Sequence, residues 1–195
     1  MIIWINGAFG AGKTTCAYEL HRRLPGSYVF DPEHIGYFFF KHFPKTMRRG
    51  DFQDYALWRS FNRDMLELIY KEFSGVIIAP MTLTDPVYFD EIIGALRRGG
   101  ADVRHFILAA GRDTLRHRLN RRIEHGETWA KAQIERCVTA FETVIDGEKI
   151  ATDGVPVDSV VEAIAEKCAL TLAPDKRSRL RKSFDRTMTL LRHIR

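Results

Sequence analysis

The stretch Met1–Asn6 is almost entirely apolar and runs straight into GAFGAGKTT, a junction that limits the folds open to the chain more than any other feature. Gly7-Ala8-Phe9-Gly10-Ala11-Gly12-Lys13-Thr14 satisfies the pattern G-x-x-x-x-G-K-[ST] in full, between an expected buried strand and an expected helix. The physics calls for these residue types. Glycines let the backbone wrap phosphates with its N–H groups turned inward, and the helix N-terminus adds a positive dipole end. Lys13 supplies a compact charge for the β and γ phosphates, and Thr14 a hydroxyl for Mg²⁺. ATP or GTP is therefore expected on Gly7, Ala8, Phe9, Gly10, Ala11, Gly12, Lys13, Thr14 and Thr15. The glycine spacing is not G-x-G-x-x-G, which argues against a dinucleotide-binding fold.

Beyond the loop, strand and helix patterns alternate. Strands are expected at Met1–Asn6, Ser27–Phe30, VIIAP, DVRHFILAA and EKIAT. Helices are expected at Lys13–Leu24, Glu33–Phe43, Asp51–Phe73, Pro86–Arg98, Arg112–Glu124, Trp129–Val144 and Val157–Cys168. Continuous apolar strands separated by helices predict a three-layer α/β/α sandwich around a five-stranded parallel sheet, occupying residues 1–172. A basic amphipathic helix is expected over 173–195.

Several side chains are placed near the loop by this topology. Asp31 closes the second strand, where it could accept a proton from a substrate hydroxyl or hold Mg²⁺; its alternative is a helix N-cap in "DPEH". After the third strand the first acid is Asp85, so the usual Mg²⁺-fixing acid directly after that strand is missing. Arg118, Arg121 and Arg122 share a helix face, and Arg118 and Arg122 are expected to steady a transferred phosphoryl group from a lid near 118–132. A solvated basic face is the alternative. Tyr37, Trp58, Arg59 and Met81 are the candidate acceptor-site residues, against a core-packing role for many of the neighbouring aromatics.

Charge narrows the partners. Pro174–Arg195 holds eight basic and two acidic residues, a net of +6, which leaves the rest of the chain at −1 against a total of +5. A nearly neutral body is not a nucleic-acid surface. In the tail, Leu180, Phe184, Met188 and Leu191 recur at helical spacing among basic residues, a pattern suited to anionic lipid or to packing on the body. Three widely spaced cysteines, Cys16, Cys137 and Cys168, and no signal-peptide pattern fit a reduced, cytoplasmic chain.

The segments MIIWINGAFGAGKT, ELHRRL, SYVFDPEHIG, DFQDYALWRSFN, PMTLTDPVYFDEIIGALR, QIERCV and HIR resemble the tunicamycin-resistance (TmrB-type) P-loop proteins along nearly the whole chain. The resemblance implies a fold close to nucleotide, shikimate and chloramphenicol kinases, ATP with Mg²⁺, and resistance to a uridine-like nucleoside antibiotic. It carries the phosphate-binding role to Gly7, Gly10, Gly12, Lys13 and Thr14, and the second-strand acid to Asp31. The expected activity is phosphorylation of a hydroxyl on the drug, with ATP-gated sequestration as the alternative and a nucleotide or polynucleotide kinase as a weaker third reading.

Overall fold

The structure, a computed structural model, describes residues 1–121 and 128–193. Five parallel strands form one sheet: β1 (Ile2–Gly7), β2 (Tyr28–Val29), β3 (Ile77–Pro80), β4 (Val103–Ala109) and β5 (Glu148–Ala151), in the order β2-β3-β1-β4-β5. The helices are α1 (Lys13–Arg23), α2 (Pro32–His42), α3 (Ala56–Glu72), α4 (Pro86–Phe89), α5 (Ala95–Arg98), α6 (Arg112–Asn120), α7 (Trp129–Ala132), α8 (Ile134–Thr143), α9 (Val157–Lys167) and α10 (Arg179–His193). A π-helical stretch, Asp90–Gly94, joins α4 to α5, where the sequence suggests one regular helix. The expected three-layer sandwich is what forms.

Strand β1 shows why. Side chains alternate across a sheet, so a strand covered on both faces must be apolar at every position. Ile3 and Ile5 face the core that includes Leu20 of α1, Phe141 of α8 and Ile164 of α9. Ile2 and Trp4 face the opposite core, with Trp58 and Leu66 of α3 and Leu96 of α5. With β1 in the middle and every strand parallel, the loop after it emerges at the carboxyl end of the sheet. The ends of β2 and β3 emerge there as well.

The tail packs differently from its hydrophobic pattern. Helix α10 lies on α1 through Arg186 and Thr189 and reaches Asp158 of α9 through Lys182 and Arg186, while Leu180, Phe184 and Leu191 stay exposed. Its polar face is turned inward because three acids wait there: Glu19 on α1, Asp158 on α9 and Asp175 in the connecting segment. No helix of the described residues is long and apolar enough to cross a membrane.

Candidate functional site

The loop Gly7–Gly12 has the backbone that its glycines permit. Gly10 and Gly12 adopt φ of 86° and 97°, the left-handed region that costs a side-chain-bearing residue strain, and Gly12 starts α1. At Gly7 a Cβ would lie 2.9 Å from the Leu108 carbonyl oxygen, so β4 itself enforces glycine there. Lys13 is buried and donates from Nζ to the Ala8 carbonyl at 3.1 Å, lying across its own loop 5.4 Å from the centre of the Phe9 ring. Phe9 also meets Trp129 edge-on at 5.1 Å, so it packs the loop against α7.

One residue that the sequence reading passed over holds this loop in register. Asn6 Oδ1 accepts from the Gly7 and Leu83 amides, both at 2.9 Å, and Nδ2 donates to the Leu83 carbonyl at 3.0 Å. Nδ2 also lies 3.2 Å from Nε2 of His105, whose Nδ1 is 3.0 Å from the Asp146 carbonyl. A carbonyl can only accept, so Nδ1 carries the proton and Nε2 accepts from Asn6. The ring is neutral, and burial pushes its pKa down to about 4. Thr82 adds a hydroxyl bond to the Gly7 carbonyl at 2.8 Å. The segment after β3 is thus bonded to the loop through Asn6 and Thr82. The one signal in the sequence was a lone amide ending an apolar strand.

Asp31 is buried at the carboxyl end of β2. Its Oδ1 caps α2 by accepting from the Glu33 amide at 3.0 Å, and its Oδ2 lies 3.9 Å from His34 Nε2. Its charge helps to raise the pKa of Tyr18 on α1, after the larger effect of burial. Asp85 caps α4 through the Val87 and Tyr88 amides. Thr14 on the first turn of α1 and Asp31 are hard oxygen donors of the kind Mg²⁺ takes, so these residues fit that ion. Another carboxylate, Asp51, was also missed. It is capped into the turn Phe52–Asp54, faces Arg136 of α8 at 4.0 Å, and has its pKa raised chiefly by burial.

Arg118 turns toward the flank of the loop. Its guanidinium donates to the Thr152 carbonyl at 2.6 Å and Thr152 Oγ1 at 3.1 Å, with the Gly10 and Ala11 carbonyls at 3.5 Å. There it lines an apolar cavity of about 330 Å³ together with Gly10, Gly12, Thr152, Val155 and Val160. Arg122 and the middle of the expected lid, residues 122–127, lie outside the described residues.

The acceptor candidates are packed rather than open. Trp58 is fully buried, with Nε1 donating to the Pro32 carbonyl at 3.2 Å, and Met81 is buried in the core beside it. Arg59 is committed to Glu91 and the Gln53 carbonyl, and stacks 4.0 Å over Tyr88. Tyr37, half-buried, meets Phe52 at 6.0 Å. All three cysteines are buried, and burial pushes the Cys16 thiol up to about 12 and the Cys168 thiol up to about 11, which makes them poor nucleophiles.

A parallel sheet with a lysine-bearing phosphate loop at the carboxyl end of its central strand defines a P-loop kinase-like protein. The family model described as an AAA domain matches residues 2–144. The structure is similar to the Deinococcus radiodurans tunicamycin resistance protein, at 34% identity and a TM-score of 0.76, over 89% of this chain and 98% of that one. On these matches the chain belongs to the tunicamycin-resistance family of P-loop kinase-like proteins. The fold alone is shared with a gluconokinase from Sinorhizobium meliloti 1021, at 12% identity and a TM-score of 0.60 over 86% of this chain and 90% of that one. It is shared too with a shikimate kinase from Bacteroides thetaiotaomicron, at 20% identity and a TM-score of 0.58 over 87% and 99%. No curated protein sequence matches the chain.

Proposed function

We propose that this protein confers resistance to a tunicamycin-type nucleoside antibiotic by transferring the γ-phosphoryl group of ATP to a hydroxyl of the drug. The observation that carries the reading is the complete phosphate loop sharing one end of the sheet with a buried carboxylate, Asp31, in a relative of a tunicamycin resistance protein. Lys13 and the loop amides would hold the phosphates, Thr14 would hold Mg²⁺, and Asp31 would reach that ion only through water, which leaves its carboxylate to act as a base. When bound, that ion neutralises charge on the transferring group. Asp31 would take the hydroxyl proton as the new O–P bond forms and ADP leaves. The cavity beside Arg118 suits the nucleobase: it is apolar, close to Gly10 and Gly12, and of a size for a ring system.

Mass spectrometry of tunicamycin after incubation with the protein and Mg-ATP tests this. A product heavier by one phosphate is expected, and Asp31→Asn should abolish it while keeping the fold, because Asn caps helices as well as Asp. Unmodified but protein-bound drug would overturn transfer.

That outcome is the second reading, ATP-gated sequestration, and one observation favours it: Asp31 already has a structural task as the cap of α2. Sequestration expects Lys13→Ala to lose resistance and Asp31→Asn to keep it. For the tail, the outward stripe Leu180, Phe184 and Leu191 beside exposed Arg181 supports peripheral contact with an anionic membrane surface. Liposome co-sedimentation should then weaken in Phe184→Ser; unchanged sedimentation removes that part of the reading.

A further inference from the structure

Leu190 of α10 lines the same cavity as Gly10, Gly12 and Arg118. The phosphate-loop pattern does not require a wall from residues so far along the chain. Two observations suggest that its presence there is built rather than incidental. Besides Arg118 of α6, the cavity's helical walls are α1, through Thr15 and Cys16, and α9, through Val157 and Val160. These same two helices carry the acids that hold α10 in place.

On α1, the Glu19 side chain is 1% exposed and receives Arg177 at 2.6 Å and Arg186 at 3.6 Å. On α9, Asp158 sits between Val157 and Val160 in sequence and receives Arg186 at 2.7 Å and Lys182 at 3.2 Å. Thr189, next to Leu190, is buried with its hydroxyl accepting from Arg22 of α1 at 3.0 Å. Arg177, in the segment before α10, passes its hold on to the helix by donating to Asp185 at 2.8 Å, while Lys182, Arg186 and Thr189 bind α9 and α1 directly.

We infer that α10 is a latched wall of the nucleobase pocket, with Leu190 as the residue that covers the base and the Glu19–Arg177 and Asp158–Arg186 pairs as the latch. The inference rests on reading the cavity as the place of the base. An apolar wall over one side of a purine removes water from its face, and the stabilisation scales with the apolar area covered. The phosphates, held by the loop, gain nothing from it. The tail therefore has two faces with different tasks: the inward one completes the nucleotide site, and the outward one is left for contact with something else.

The experiment compares two probes, Mg-ATP and Mg-tripolyphosphate, by titration calorimetry on the full chain. Wild type should bind ATP well above tripolyphosphate. Leu190→Ala should weaken ATP by roughly 5- to 10-fold, the equivalent of a partly buried leucine side chain, and leave tripolyphosphate within about twofold. Arg177→Ala should do the same more weakly, and Leu190→Met should restore near-wild-type binding. Leu180→Ala, on the same helix but exposed to solvent, is the control and should change neither probe. If wild type binds the two probes equally, the cavity is not the base pocket and the reading beneath the inference fails. If wild type prefers ATP but Leu190→Ala keeps that preference, or Leu180→Ala loses it equally, the latched wall is overturned.

Discussion

Removing Arg177 is the perturbation whose size the structure fixes best. Its guanidinium donates to Glu19 at 2.6 Å, to both oxygens of Asp175 at 3.0 and 2.8 Å, and to Asp185 at 2.8 Å. Breaking a buried ion pair by deleting one partner costs about 3–5 kcal/mol when the survivor is left alone. Glu19 is not left alone, because Arg22 still donates to it at 2.6 Å and Arg186 lies 3.6 Å away. Arg177 itself is about one-fifth exposed, which lowers the value of its pairs further. The loss expected for Arg177→Ala is thus that of a charge-assisted bond to a desolvated carboxylate, about 2–3 kcal/mol. For a chain of this length that is a fall in Tm of roughly 5–10 °C. The contrast is Lys71→Ala, which breaks the exposed pair with Glu67 and should shift stability by no more than about 0.5 kcal/mol. Thermal unfolding followed by circular dichroism, in low and high salt, measures both. The Arg177 effect should persist in salt, since buried pairs are poorly screened, and the Lys71 effect should vanish. A Tm loss for Arg177→Ala no larger than that for Lys71→Ala would refute the claim that Glu19 is desolvated and held by the tail.

Three further outcomes are expected. His105 is neutral in the fold with a pKa pushed down to about 4, below its unfolded value near 6.5, so the unfolded chain binds more protons between those limits. Stability should then rise with pH across that window, by up to about 3 kcal/mol; urea denaturation at pH 4.5 and pH 7 measures it, and His105→Gln should flatten the difference. Asp175 behaves differently: pairing with Arg177 holds its carboxyl well below the usual range, so its contribution is complete above the unfolded value near 3.9 and is lost only as pH falls further. Asp175→Asn should accordingly lower Tm at pH 7 and leave it unchanged at pH values where the carboxyl is protonated. At Gly36 a Cβ would stand 2.4 Å from the Phe52 ring, so Gly36→Ala should destabilise by about 1–3 kcal/mol in the same denaturation assay, despite alanine's better helix propensity.

The sheet and its layers were legible because β1 and β3 are near-continuous apolar runs, buried on both faces, and the other strand patterns alternate with helical ones between punctuating glycines and prolines. The phosphate loop was legible because its chemistry needs fixed residue types at fixed spacing. Side-chain orientation was not. Arg59 reads as a free cation in mid-helix, yet Glu91, 32 residues on in sequence, takes it. Arg118 lies on the helix face expected, but Thr152 at the end of β5 turns it to the flank of the loop. Neither partner is close in sequence. Asn6 was the more readable omission: an amide that ends a strand facing two neighbouring segments can satisfy all of its hydrogen bonds between them, and here it does.

The orientation of α10 shows which force decided the matter. Rotating the helix to bury Leu180, Phe184 and Leu191 would gain about 1.5–3 kcal/mol for each side chain fully covered, a large incentive. Against it stand Glu19, Asp158 and Asp175, whose carboxylate oxygens lie within 4.8 Å of one another. Three like charges at that distance repel, and Glu19 is almost wholly removed from water, so the cluster holds together only with cations beside it. Rotation would carry Lys182 and Arg186 away from these acids and leave the apolar stripe facing charged groups, where it could not be dehydrated without desolvating them as well. The apolar gain is therefore not available at this surface. The sequence pattern of α10 records an apolar stripe correctly, but the acids on two other helices determine that the stripe points outward, and among the described residues of α10 it is Leu190 that lines the cavity.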